Sequence, residues 1–307
     1  MTEAQYFKNL QQPTGKVDVI LDTDVSNEID DQFAIAYLLR CGDKLNTVGL
    51  CSAPFSAPWD HVDSPAEGAK KTWETLQEVV RFADREDLLP ICHPGADAYL
   101  PDEKTPVISE AAAFIVETAK KYSPEKPLYV VAIGAITNVA SALLMEPAIA
   151  ENIVIVWLGG HAQHMPKTDE FNMFQDIAAA RVVFDSAAPL VQLPCFGVVD
   201  AFSVTRYELE YWLLGKGKLP NYLAEKTIAF GEAYAAGKPW SRVLWDVTAV
   251  AWLMNDGNRF MEDDLRAKPI PEYDRFYGYD NRRPMMRYVY HVNRDALCED
   301  LFTRLTK

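Results

Sequence analysis

Apolar and polar positions along this chain fall into two kinds of block that take turns: short β-branched runs and longer stretches of helical period. Val17, Val19, Ile20 and Leu21 form a run of strand length behind Gly15, which predicts a buried strand. Ile29, Phe33, Ala36 and Tyr37 then recur at the spacing of one helix face, widened by Leu38 and Leu39. Ser26 or Asn27 can cap that helix, since either side-chain oxygen can accept from the orphan amides of a first turn. Asp30 and Asp31 fall in that turn. The pattern predicts further strands over 45–51, 89–92, 128–133, 153–158 and 286–292, and near Leu190 and Val198. Between and after them it predicts helices over 67–85, 109–122, 139–145, 176–184, 208–234 with a break at 215–218, 247–254, and from Asp295 onward.

Strands alternating with helices imply an α/β fold, an open and mainly parallel twisted sheet with helices on both faces. No repeat or low-complexity linker divides the chain, so residues 1–307 are expected to form a single domain. Composition agrees: 49% hydrophobic and 24% charged residues are ordinary for a globular protein of 307 residues with a large core. A net charge of -14 argues against nucleic acid and anionic membranes as partners. The five cysteines are scattered, with no C-x-x-C pair, which points to a reducing compartment and buried thiols. The polar start, Met1 to Gln12, has no apolar core of signal-peptide length, and no stretch is long enough to span a bilayer, so a cytoplasmic location is expected.

The chemistry concentrates after the first strand, in Asp22-Thr23-Asp24-Val25-Ser26-Asn27-Glu28-Ile29-Asp30-Asp31. Four aspartates and a glutamate this close repel one another unless a cation or a set of backbone donors sits among them. A helix dipole stabilises first-turn carboxylates by about 0.3–1 kcal/mol each, which accounts for Glu28, Asp30 and Asp31 as ordinary helix-start residues. It does not account for Asp22 and Asp24 at a strand end, where open α/β sheets build their sites. Hard divalent cations take carboxylate and carbonyl oxygens. Such oxygens also occur around Ile133, after the fourth strand, and at Asp246, before a late helix; in a parallel sheet these ends share one edge and can converge.

Other candidates are weaker as patterns. In Asp169-Glu170-Phe171-Asn172 an acid and an amide two residues apart suit the vicinal hydroxyls of a sugar. Trp59 and His61 sit in a Pro-rich loop over 53–65, where an aromatic serves either a ligand or the packing of its own loop. The Tyr-, Arg- and Asp-rich loop 273–284 either closes over a ligand or forms a solvated tip. Trp245 can stack on a ring or belong to the core. His161 and His164 follow Gly159-Gly160, and one of them could protonate a leaving group; His164 is the preferred candidate.

Four motifs in register resemble those of the inosine-uridine preferring nucleoside hydrolases. They are Asp22-Thr23-Asp24 with Asp30-Asp31; Gly134-Ala135-Ile136-Thr137-Asn138; Gly159-Gly160 followed by Glu170-Phe171-Asn172 and Asp176; and Trp245-Asp246. The resemblance spans essentially the whole chain. It implies hydrolysis of the N-glycosidic bond of a ribonucleoside, a single Ca²⁺, and a homodimer or homotetramer. By position, Asp24, Asp31, Asp246 and the main-chain oxygen of Ile133 would hold Ca²⁺, and Asp24 would also take a proton from a water the ion activates. Asp30, Glu170 and Asn172 would bind ribose hydroxyls. The departures are four: the acidic loop is two residues longer, Trp245 stands where the family often has His as an acid for the departing base, His164 where it commonly has an Asn that touches the sugar, and the second-strand Asn is replaced around Cys51 or Ser52. A haloacid dehalogenase-like phosphohydrolase, with Asp22 as nucleophile, is the rival enzyme class. A ribose- or nucleoside-binding protein without turnover is the rival outside enzymology.

Overall fold

The computed structural model describes residues 1–307. Eight strands build one sheet: β1 (Val17–Thr23), β2 (Leu45–Ser52), β3 (Cys92–His93), β4 (Leu128–Ala132), β5 (Ile153–Leu158), β6 (Leu190–Leu193), β7 (Met261–Ala267) and β8 (Met285–Val292). Their spatial order is β3-β2-β1-β4-β5-β6-β8-β7. Every pairing is parallel except that of β8 with the edge strand β7.

Alternation along the central strands explains why helices cover both faces. Val19, Leu21, Tyr129, Val131, Val154 and Val156 pack into one core layer with the helices Asp30–Arg40, Pro65–Phe82, Val247–Leu253 and Arg294–Leu305. Ile20, Val130, Ala132, Ile155 and Trp157 face the opposite layer, under the helices Glu110–Ala119, Thr137–Met145 and Ile177–Asp185. Burial at both faces makes these strands near-continuous apolar runs, as a doubly covered parallel sheet requires. No helix is long and apolar enough to cross a membrane.

Chain order reverses between β1 and β4, because β1 leads outward to β2 and β3 whereas β4 leads the other way to β5 and β6. Such a switch point leaves a crevice beyond the carboxyl ends of the two strands. Asp22 pairs with Ala132 in the register, so Asp24 and Ile133 both leave the sheet at that crevice.

Several local expectations are corrected. No strand forms at Val198: Gly197 has φ +90°, and the chain makes a 3₁₀ turn over Val199–Ala201. All of Glu86–Ile91 is a 3₁₀ helix, so of the strand expected over 89–92 only Cys92 is extended, together with His93. The helix after β1 begins at Asp30 with no side-chain cap, so neither Ser26 nor Asn27 caps it. The charged edge strand β7 and a helix over Glu3–Asn9 carry too little apolar pattern to be read from sequence.

Candidate active site

A cavity of about 450 Å³ occupies the crevice, lined by Asp24, Asp30, Asp31, Ile133, Glu170, Asn172, Trp245 and Asp246, among others. Of the residues expected to act together, only His164 lies outside this lining. A slightly larger hollow, about 500 Å³, lies at the N-terminal helix, but both of its cations are already paired, the Met1 ammonium with Glu151 and Arg283 with Asp185.

Each acidic side chain comes from the end of a regular element. Asp24 follows β1, Asp30 and Asp31 open the helix Asp30–Arg40, and Asp246 precedes the helix Val247–Leu253, which packs beside it. Oxygens of Asp30, Asp31 and Asp246 all lie within 4.8 Å of one another. Asp24 lines the same cavity and is held close to the turn after β4, where a Cβ on Gly134 would come within 3.1 Å of the Asp24 carboxyl carbon. Glycine at 134 therefore allows the two chain segments to approach.

Burial dominates the electrostatics. All four aspartates are buried, and desolvation pushes each carboxyl well above the ordinary carboxylate range. Mutual repulsion adds to it: Asp31 and Asp30 act on Asp24, Asp30 acts on Asp31, and all three act on Asp246. Asp30 rises to about 7, through burial and the charge of Glu28, against the attraction of Arg242. Thr23 donates to Asp31 at 2.5 Å, but Asp24 Oδ2 and Asp30 Oδ1 are buried with no partner. Buried acceptors without donors are rare and call for an explanation. An all-oxygen donor set of this charge fits a hard divalent ion.

Asp22 does not line this cavity. It accepts from Asn138 at 2.8 Å, which ties β1 to the turn at Thr137, and that placement removes the nucleophile of the phosphohydrolase alternative. Asp176 is also a structural tie, accepting from Ala179 and Leu100 amides and from the Thr137 hydroxyl.

On the opposite side, Glu170 caps the short helix Phe171–Gln175. Its carboxylate accepts from the backbone amides of Asn172, Met173 and Gly160 at 2.8–2.9 Å, taking about three of roughly four acceptor positions. Asn172 donates to Leu158 O at 3.0 Å, which leaves its amide oxygen for a ligand. Above these residues stands an aromatic rim. Trp59 meets Phe171 edge to face at 6.0 Å, and Trp245 meets Phe196 edge to face at 5.2 Å.

His164 is exposed, with its ring beside Gly197, whereas His161 of the same turn is buried on the cavity wall. The reason is local: Gly160 takes φ +76°, and this bend turns residue 161 inward and leaves 164 on the outer arm of the loop. His61 and the loop 273–284 do not line the cavity either. That loop instead braces the wall from behind, where the Arg275 carbonyl accepts from Thr168 and Tyr279 donates to Gln163 O. Phe196 and Arg242 line the cavity without having stood out in the sequence. Arg242, the one cation of the lining, pairs with Glu28.

Comparison with known proteins agrees with this architecture. The family model described as inosine-uridine preferring nucleoside hydrolase matches residues 19–298. The chain is 30% identical over 229 residues to "Probable uridine nucleosidase 2" of Arabidopsis thaliana, a match covering 67% of each chain. A plant nucleoside hydrolase structure superposes with a TM-score of 0.73 at 19% identity, covering 94% of this chain and 99% of the other. A purine-preferring ribonucleoside hydrolase from Gardnerella vaginalis superposes at 0.71 with 21% identity, covering 94% and 98%. At these identities the structural likenesses speak for the fold.

Proposed function

We infer the function from one premise: the chain belongs to the inosine-uridine preferring nucleoside hydrolase family, whose model matches it over residues 19–298. The protein is an N-ribosyl hydrolase that splits the N-glycosidic bond of a ribonucleoside into base and ribose, a reaction that depends on a metal ion throughout this family. The observation that carries the reading in this chain is the pair of buried, unpartnered oxygens on Asp24 and Asp30 at the switch-point cavity.

Asp24, Asp31, Asp246 and the main-chain oxygen of Ile133 would hold the ion, proposed as Ca²⁺. When bound, it offsets the crowding of negative charge and acts as a Lewis acid that makes a water easier to deprotonate. Asp24 takes the proton of the attacking water; a carboxylate held free of other donors is suited to this. Asp30 and Asn172 bind ribose hydroxyls, and the one remaining acceptor position of Glu170 serves the same sugar. Together they fix the anomeric carbon against the water. The surrounding carboxylates stabilise the positive charge that develops on the sugar ring as the bond to the base lengthens. Trp245, on the rim, stacks on the base.

Five buried free cysteines support the cytoplasm as the place of action. The homodimer or homotetramer rests on family resemblance. The deciding experiment is ribose release from a panel of purine and pyrimidine nucleosides, with Asp24→Asn beside the wild type. Turnover of at least one nucleoside, lost in the variant by about 100- to 10,000-fold, is expected. Turnover that survives the substitution would remove Asp24 from the role of base.

A further inference from the structure

A nucleobase leaves with the electron pair of the broken bond on its nitrogen, and that charge needs a hydrogen-bond donor. Trp245, at the position before Asp246, carries no titratable proton. His161 is the histidine that lines the cavity, and its surroundings fix which of its nitrogens can donate. The Phe196 backbone amide donates to Nδ1 at 3.3 Å, so Nδ1 is the acceptor and the ring proton belongs on Nε2. Nε2 lies 3.9 Å from Asp169 Oδ1, too far for a hydrogen bond, and so has no protein acceptor. The segment that carries the ring is tied down by its backbone, and the ring itself rests against Phe196. The His161 amide donates to Thr168 Oγ1 at 3.1 Å, the Cys195 amide donates to Gly160 O at 2.8 Å, and the imidazole leans on Phe196 at 5.1 Å. A side chain at Gly160 would run into the Tyr277 hydroxyl, so the bend that aims His161 inward is itself fixed.

We propose that His161, as a neutral imidazole, donates its Nε2–H to an acceptor atom of the departing nucleobase and stabilises the negative charge that forms there. This rests on the hydrolase reading above. The bond from the anomeric carbon to nitrogen breaks and its electron pair goes to the base. The water oxygen bonds to that carbon, and its proton goes to Asp24. The base leaves as a hydrogen-bonded anion and is protonated by solvent after departure. The charged groups facing the imidazole, Asp169 and Asp200, favour its cation, but burial outweighs them and holds its pKa below the ordinary imidazole range. A neutral ring is also what the Phe196 amide at Nδ1 requires. His161 thus acts as a fixed donor in place of an acid that gives up its proton.

The test compares two substrates and two substitutions. A nucleoside needs the donor; 4-nitrophenyl riboside, whose leaving group spreads its charge over the ring, needs it far less. His161→Ala is expected to lower kcat on the nucleoside by about 100- to 1,000-fold, the usual loss for one such donor, and the nitrophenyl rate by less than about fivefold. His161→Gln, which carries an N–H at a similar reach, restores most of the nucleoside rate. Equal losses on both substrates, or a Gln variant as poor as Ala, overturn the proposal. So does an alkaline limb in the wild-type pH profile that disappears in His161→Gln, since that would mean His161 transfers its proton. In those outcomes the hydrolase reading stands as long as Asp24→Asn still abolishes turnover of both substrates. A wild type that releases ribose from neither substrate overturns both.

Discussion

The cavity has two halves built on different principles, an acidic floor and an aromatic rim. Floor residues leave the sheet at β1 or open the helices Asp30–Arg40 and Val247–Leu253, and all four aspartates are at most 4% exposed. Of the rim residues, Trp59, Phe196 and Trp245 sit on connecting segments, and Trp59 and Phe196 remain 70% and 47% exposed. Side chains at the ends of regular elements are fixed by the packing of the whole core, whereas those on loops can change without disturbing it. On the proposed function, the floor would carry the part of the reaction common to any ribosyl bond, and the rim the choice of leaving group.

The sharpest way to break the comparison is Asp246→Asn. If the floor serves every substrate alike, kcat/KM falls by at least about 1,000-fold on nucleosides and on 4-nitrophenyl riboside together. A loss confined to one leaving group would move Asp246 from the floor to the rim.

Stability against pH gives the next largest effect. Asp22 and Asp30 have carboxyls pushed up to about 7, and those of Asp24, Asp31 and Asp246 also lie far above the ordinary range, because burial disfavours their charge. Raised values mean that the folded protein holds more protons than the unfolded chain, whose aspartates titrate near about 3.9. The stabilisation from protonating these groups is thus complete below that pH and is lost as pH rises through about 7. Without divalent ions, Tm should fall by several degrees between pH 5 and pH 7.5, and Ca²⁺ should remove most of the fall. A metal-free protein whose Tm rises over that interval would show that its floor carboxylates are not crowded.

Trp245→Ala should raise KM for nucleosides by about 5- to 150-fold, corresponding to about 1–3 kcal/mol of base stacking, and change the nitrophenyl rate less. Trp59→Ala should give the smallest effect, within about threefold, because that ring is mostly in solvent; steady-state kinetics on the same nucleosides ranks the two.

Sequence pattern disclosed the floor better than the rim for the same physical reason. The apolar run of β1 and the helical period after it put Asp24, Asp30 and Asp31 at element ends, and the run over 128–133 did the same for Ile133. Parallel topology then brings them together without any knowledge of loops. The sequence favoured His164 over His161, whereas His161 lines the cavity, because the choice depends on the backbone at Gly160, with φ +76°, and on the amide of Phe196, thirty-five residues away. Arg242 and Phe196 had no periodic signal at all. Strand β7 was hidden by its charges: Glu262, Asp263, Asp264 and Arg266 lie on a half-exposed edge, where apolar alternation is not required.

The most direct test of the floor as an ion site is calorimetric titration of Ca²⁺ into the metal-stripped protein, beside Asp246→Asn. One equivalent bound by the wild type, with affinity lost in the variant, is the predicted result. No binding by the wild type, or binding that the substitution leaves unchanged, would contradict the account.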